Sequence, residues 1–179
     1  MSDPARERIR GLVFDVDGVL TDGSVYVSTD GRESKRFSIL DGTALMWARL
    51  AGYRVAWLSG RSSEATTRRA EELDIERVYQ GVRDKSGRIR AWAEETGLAM
   101  DEILYMGDDH IDLPVFELVG IGVAPAGADP EVRERATHVT TAGGGEGAVR
   151  EAIRWVLSGA GRLEEVTGRY RSGLREDES

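Results

Sequence analysis

Short apolar runs rich in branched residues alternate with stretches of helical periodicity along most of the 179-residue sequence, with turn residues at nearly every junction. That alternation predicts an α/β fold, a Rossmann-like parallel sheet with helices on both faces. Between residues 17 and 59 there is room for a β-hairpin flap and one helix but not for a lid domain, so the fold is expected to be capless. Polar residues also cluster just after the strand ends, where open α/β sheets bind ligands.

The elements follow in order. Residues 9–16 form an apolar, branched run too short for a helix, ending at Asp17-Gly18. Residues 24–28 and 33–39 are strand-like around Thr29-Asp30-Gly31, a hairpin-turn sequence, and form the flap. From Asp41 the period becomes helical through Leu45, Met46 and Leu50, with Asp41 as the expected cap and Gly52 as the stop. Strands are expected at 53–58, 77–79, 103–106, 121–124 and 138–140, and helices at 63–73, 85–96 and 146–157. Trp47, Trp57, Trp92 and Trp155 are candidate core residues, and His138 reads as structural. The chain divides into one α/β domain over 1–159 and a charged, Gly-interrupted tail over 160–179, expected to be flexible in a lone subunit.

Composition narrows the chemistry. A net charge of -8 and a pI near 4.9 disfavour a nucleic-acid partner, which needs clustered Lys and Arg. With no Cys and only His110 and His138 as imidazoles, thiolate chemistry is excluded and a histidine-rich metal site is hard to build. No apolar run approaches membrane-spanning length and the N-terminus lacks a signal core, so the expectation is a cytoplasmic protein with no membrane partner. Carboxylates must carry the chemistry.

They are concentrated at strand ends. Asp15 and Asp17 are two apart, so an extended chain projects both to one side, and Gly18 lets it turn. Asp108 and Asp109 follow another strand. Such a cluster repels itself without a cation, and few carboxylates around a hydrated ion with room for a phosphate fit Mg²⁺. Asp112 reads equally well as a helix cap or as a support for this loop.

The ordered set Asp15-Val16-Asp17-Gly18-Val19, Ser59, Lys85 and Gly107-Asp108-Asp109 resembles the four motifs of haloacid-dehalogenase-type phosphatases and spans most of the chain. The resemblance implies that Asp15 is the nucleophile, forming an aspartyl-phosphate, and that Asp17 is the general acid and base. It further implies that Asp15, Asp108 and the Asp17 main-chain carbonyl hold Mg²⁺. Ser59 and the Gly60 amide would bind phosphoryl oxygens, Lys85 would neutralise developing charge, and Asp109 would orient Lys85.

The flap, Phe37-Ser38-Ile39-Leu40-Asp41-Gly42, Leu58-Ser59-Gly60-Arg61 and the run from Ala142 to Glu151 resemble the tetrameric 3-deoxy-D-manno-octulosonate 8-phosphate phosphatases. That likeness implies a homotetramer acting on a small phosphorylated sugar acid, with Ser38, Asp41, Gly42, Arg61 and Arg69 as substrate contacts. The tail arginines Arg162, Arg169, Arg171 and Arg175 would approach a neighbour's site. Leu40 and Met46 stand where that family carries arginines, Thr43-Ala44 replaces its Tyr-Gly pair, and Met46-Trp47-Ala48 is similar to enzymes acting on nine-carbon, sialic-acid-type 9-phosphates. A regulatory or assembly module that has lost catalysis is a third reading, opposed by the intact Asp15, Asp17, Lys85 and Asp108.

Overall fold

Asp3 caps a short helix, α1 (Pro4–Arg8), ahead of the first strand, β1 (Gly11–Phe14); the computed structural model describes residues 3–176. The flap follows as β2 (Tyr26–Val27) and β3 (Glu33–Ser34), an antiparallel pair, and then α2 (Ile39–Leu50). Next come β4 (Arg54–Leu58), α3 (Glu64–Glu72), β5 (Arg77–Tyr79), α4 (Lys85–Thr96) and β6 (Ile103–Met106). The chain continues through α5 (Leu113–Phe116), β7 (Ile121–Ala124), α6 (Pro130–Arg135), β8 (His138–Val139), α7 (Ala148–Gly159) and α8 (Leu163–Glu176).

The six main strands form one sheet in the order β5-β4-β1-β6-β7-β8, and every neighbouring pair is parallel. Alternate residues of each strand face opposite sides. Leu12, Phe14, Trp57 and Met106 therefore pack with Leu45, Val149 and Ile153 of α2 and α7. Val13, Ala56, Leu58 and Tyr105 pack on the other face with Ile89 and Trp92 of α4. The α/β sheet with helices on both faces and the β-hairpin flap are as the sequence predicts. Trp47, Trp57 and Trp92 are buried, while Trp155 stacks with the His138 ring at 4.4 Å and has the Arg6 guanidinium over its ring at 4.5 Å.

Three local expectations change. The run 33–39 is strand only at Glu33–Ser34, because Ser38 accepts a hydrogen bond from the Asp41 amide and starts α2 two residues before Asp41. Residues 163–176 are helical rather than irregular. Val166 of α8 is fully buried, and Tyr170 meets Trp47 edge-on with ring centroids 6.2 Å apart. The tail arginines are also differently placed: Arg162 and Arg169 donate to the Ala51 and Leu50 carbonyls at the end of α2, where a helix leaves acceptors unpaired. Arg171 is exposed, and the Arg175 side chain lies outside the described residues. Among the described residues no helix is long and apolar enough to cross a membrane.

Candidate active site

β1 and β6 are adjacent, with Phe14 level with Met106. The Asp15 amide donates to the Met106 carbonyl at 2.9 Å, so the two strand-end loops diverge from one point of the ladder. This register sets Asp15 beside Asp108. Gly18, at φ 87°, turns the first loop sharply, and any Cβ there would overlap the Asp108 carboxylate. The glycine loop 143–145 braces the turn from outside. The Gly145 amide donates to the Val19 carbonyl at 3.0 Å, and a Cβ on Gly144 would overlap the Gly18 carbonyl.

Lys85 opens α4 behind its cap Asp84 and reaches into this crowd of carboxylates. Its amine donates to Asp15 Oδ2 at 2.7 Å and to Asp112 Oδ1 at 2.6 Å, and all three side chains are buried or nearly so. Burial alone would lower the ammonium's pKa, but Asp15 and Asp112 outweigh it and hold the pKa raised. Burial, opposed by Lys85 and added to by Asp112, pushes Asp15 up to about 7. Asp108 is pushed up to about 8 by burial and then by Asp15 and Asp112.

Asp112, which the sequence left between capping and support, is the residue that fixes Lys85. Its Oδ1 also accepts from the Tyr105 hydroxyl at 2.6 Å, and its Oδ2 accepts from the amides of Asp108 and Asp109 at 2.9 and 3.2 Å. The expectation that Asp109 orients Lys85 is corrected: Asp109 is exposed and accepts from the His110 amide instead. The backbone after Asp108 turns it outward and brings Asp112 back underneath.

Oxygens of Asp15, Asp108 and Asp112 lie within 4.8 Å of one another. Both Asp112 oxygens are already engaged by four donors, so it is a poor candidate to bind an ion as well. Asp108 Oδ1, by contrast, is buried without a hydrogen-bond partner. An orphaned carboxylate oxygen beside the nucleophile candidate is what a hard divalent cation would satisfy, so the residues fit Mg²⁺. In metal-free protein the raised Asp15 and Asp108 values mean that the folded state holds more protons than the unfolded chain between about pH 4 and pH 8. Their stabilising contribution is complete below the unfolded value and is lost as pH rises through the folded values. Melting curves in EDTA should therefore fall over that window. Saturating Mg²⁺ should raise them most at its alkaline end, by about 2.7 kcal/mol at 100 times the dissociation constant, and should do little in Asp108→Ala.

Asp17 lies on the flap side. Its Oδ2 accepts from Ser59 Oγ at 3.4 Å, and its Oδ1 is 2.7 Å from the Lys35 ammonium. Its carboxylate is thus engaged on the flap side, apart from the grouped Asp15, Asp108 and Asp112 oxygens. Ser59 is buried at the end of β4, where its hydroxyl also accepts from the Arg61 amide, and Gly60 beside it is at the surface.

The expected sugar-acid contacts scatter. Asp41 is buried and points away from solvent, its Oδ1 accepting from the Arg150 amide at 2.8 Å in the first turn of α7. Burial pushes its pKa up to about 6 against that hydrogen bond. As a remote cap for a helix whose own N-cap is Gly147, it is not available to substrate within this chain, which corrects the expectation. Gly42 is also buried, and its missing Cβ leaves room for the Arg69 guanidinium. Arg69 is largely buried, paired with Glu72 at 2.8 Å and reaching the Ser38 carbonyl at 3.4 Å. Arg61 remains half-exposed and pairs with Glu33 of the flap at 2.9 Å. A cleft of about 830 Å³ between the flap and α3 is lined by Arg32, Lys35, Phe37, Ser63, Arg68 and Arg69 among others.

Residues 77–153 match the haloacid dehalogenase-like hydrolase family. The 3-deoxy-D-manno-octulosonate 8-phosphate phosphatase of Escherichia coli strain K12 is 40% identical over 162 residues, which is 90% of this chain and 86% of that protein. The crystal structure of the enzyme of that name from Moraxella catarrhalis, in complex with magnesium, phosphate and a KDO molecule, superposes with a TM-score of 0.90 at 31% identity, over 93% of this chain and 95% of that one. The cobalt-bound form of the corresponding Haemophilus influenzae phosphatase gives 0.86 at 34% identity, over 89% and 93%.

Proposed function

Because this chain belongs to the haloacid dehalogenase-like hydrolases and, within them, to the 3-deoxy-D-manno-octulosonate 8-phosphate phosphatase family, we propose that it is a Mg²⁺-dependent phosphatase that hydrolyses that sugar-acid phosphate through an aspartyl-phosphate. The observation that carries the reading is the buried Lys85 amine between Asp15 and Asp112 beside the unpartnered Asp108 oxygen. Together they make a socket whose three carboxylates outnumber its one ammonium, with one place for a cation and one nucleophile.

Asp15 attacks phosphorus in line as the bond to the sugar oxygen breaks, and Asp17 gives that oxygen its proton. Asp17 then takes a proton from the water that hydrolyses the aspartyl-phosphate. Ser59 and the Gly60 amide hold phosphoryl oxygens, and Lys85 offsets charge on Asp15 and the phosphoryl group. Asp15, Asp108 and the Asp17 carbonyl would hold Mg²⁺, which when bound supplies charge neutralisation between nucleophile and phosphate. The cleft beside the flap, with Arg32, Lys35, Arg68 and Arg69 in its wall, suits the body of a hydroxylated acid.

A capless site still needs water excluded from one side. Tyr26 and Val27 of the flap and Ile39, Leu40, Met46 and Leu50 of α2 are exposed, which supplies an apolar surface for neighbouring subunits in a homotetramer. Leu40 and Met46 also favour a second reading, in which the substrate is a nine-carbon, sialic-acid-type 9-phosphate. Turnover of the eight-carbon ester, a nine-carbon 9-phosphate and a phosphopeptide, each with Mg²⁺ and with EDTA, separates the readings. The eight-carbon ester should have the highest kcat/KM, and only with metal. Light scattering should give four protomer masses, whereas a fully active monomer would exclude a shared site.

A further inference from the structure

The sequence contains only two lysines among its 24 basic residues, Lys35 and Lys85. Every other cation is arginine. Both lysine side chains are buried against aspartates of the first loop: Lys85 on Asp15, and Lys35, 0% exposed, on Asp17. An ammonium is a compact point charge, whereas a guanidinium is a broad planar fork. Lysine is thus confined to the two places where a buried cation meets a carboxylate of the first loop.

Lys35 follows directly on β3, so it enters the site from the flap. Its amine is 2.7 Å from Asp17 Oδ1, 3.7 Å from Glu33 Oε1 and 3.5 Å from Thr66 Oγ1 of α3. It is also part of the wall of the cleft between flap and α3. The two oxygens of Asp17 therefore differ. Oδ1 is held by Lys35, and Oδ2 faces Ser59, the candidate phosphoryl-oxygen donor. Only Oδ2 is left to meet a leaving oxygen.

We propose that Lys35 is a positioning residue for phosphoryl transfer, fixing the Asp17 carboxylate so that Oδ2 delivers the proton to the leaving sugar oxygen and making that alignment depend on the seated flap. This rests on the reading of Asp17 as the general acid. The step balances: the Asp15 oxygen-phosphorus bond forms, the phosphorus-ester oxygen bond breaks, and the Asp17 proton converts the departing alkoxide to an alcohol. Lys35 neither gives nor takes a proton. A misplacement of about 1 Å at such a group costs on the order of 10²-fold.

Leaving-group chemistry tests this. A sugar alkoxide needs the proton, whereas 4-nitrophenolate leaves well without it, and kcat/KM reports only steps up to aspartyl-phosphate formation. Lys35→Met should lower kcat/KM for the sugar-acid phosphate about 10- to 100-fold, and for 4-nitrophenyl phosphate less than about threefold. The Asp17 and Glu33 oxygens that face the amine are buried, so losing it also leaves them uncompensated and costs stability. Lys35→Gln carries the same comparison if the Met variant does not fold. Asp17→Asn is assayed alongside: equal losses on both esters there would overturn the acid assignment and this inference with it. If Asp17→Asn discriminates between the esters but the Lys35 variants lose both equally, or lose neither, the positioning role alone is wrong.

Discussion

Asp15→Asn should release no phosphate above background, a loss on the order of 10⁴-fold or more, because an amide oxygen is too weak a nucleophile to displace an alkoxide from phosphorus. The substitution keeps the shape of the side chain, and the ladder contact of the Asp15 amide to Met106 does not depend on it. It also removes one of the charges crowding Asp108 and Asp112, while Lys85 keeps its bond to Asp112. The metal-free variant should therefore melt no lower than the wild type, which separates lost chemistry from lost structure. Phosphate release and melting in EDTA, measured on the same preparation, check both halves. Residual turnover near the wild-type rate would remove Asp15 from the nucleophile's role.

Lys85→Met should have the largest effect on stability. It removes the amine that compensates Asp15 and Asp112, and breaking a buried ion pair from one side costs about 3–5 kcal/mol. Urea unfolding should show that loss near neutral pH, together with loss of turnover. The deficit should narrow as pH falls: with the cation gone, the neighbouring carboxyls escape the penalty by protonating, and Asp15 and Asp108 already have raised values. Comparing the two proteins at about pH 5 and about pH 9 tests the sign. A variant as stable as the wild type at both would mean that this amine does not hold the cluster together.

Much of the fold was legible because strand and helix differ in period, and the sheet strands after Gly52 fall within a residue of the expected bounds. The misjudged places are those where a tertiary contact overrides local pattern. Leu163 to Tyr170 carries two glutamates, a glycine and an arginine and reads as loose. It becomes helix because Val166 and Tyr170 find α2 and α7 to pack on. The acidic residues were legible as a set, but not their individual duties. Asp109 and Asp112 are three apart, and only the path of the loop decides which turns back to Lys85. Asp41 had the spacing of a helix cap and does cap a helix, but α7 rather than its own, a partnership 109 residues away. Tyr105 gave no signal, since an aromatic in a buried strand is ordinary. Lys35 did give one, because lysine is so scarce in this sequence, yet its partner on the first loop could only be seen once the flap was folded back.

The glycine loop 143–145 bears on how the site comes into being during synthesis. The turn that presents Asp15 and Asp17 is made among the first twenty residues, but it is held in place by the Gly145 amide on Val19 and by the close approach of Gly144 to Gly18. Domains form as units while the N-terminal part emerges first. A nascent chain can therefore pair β1, β4 and β6 while its Asp15–Asp17 turn still lacks its brace, and the turn is clamped only when the segment leading into α7 arrives. Acquisition of activity should coincide with release of that late segment rather than with formation of the sheet, so the site is among the last parts of the domain to be finished.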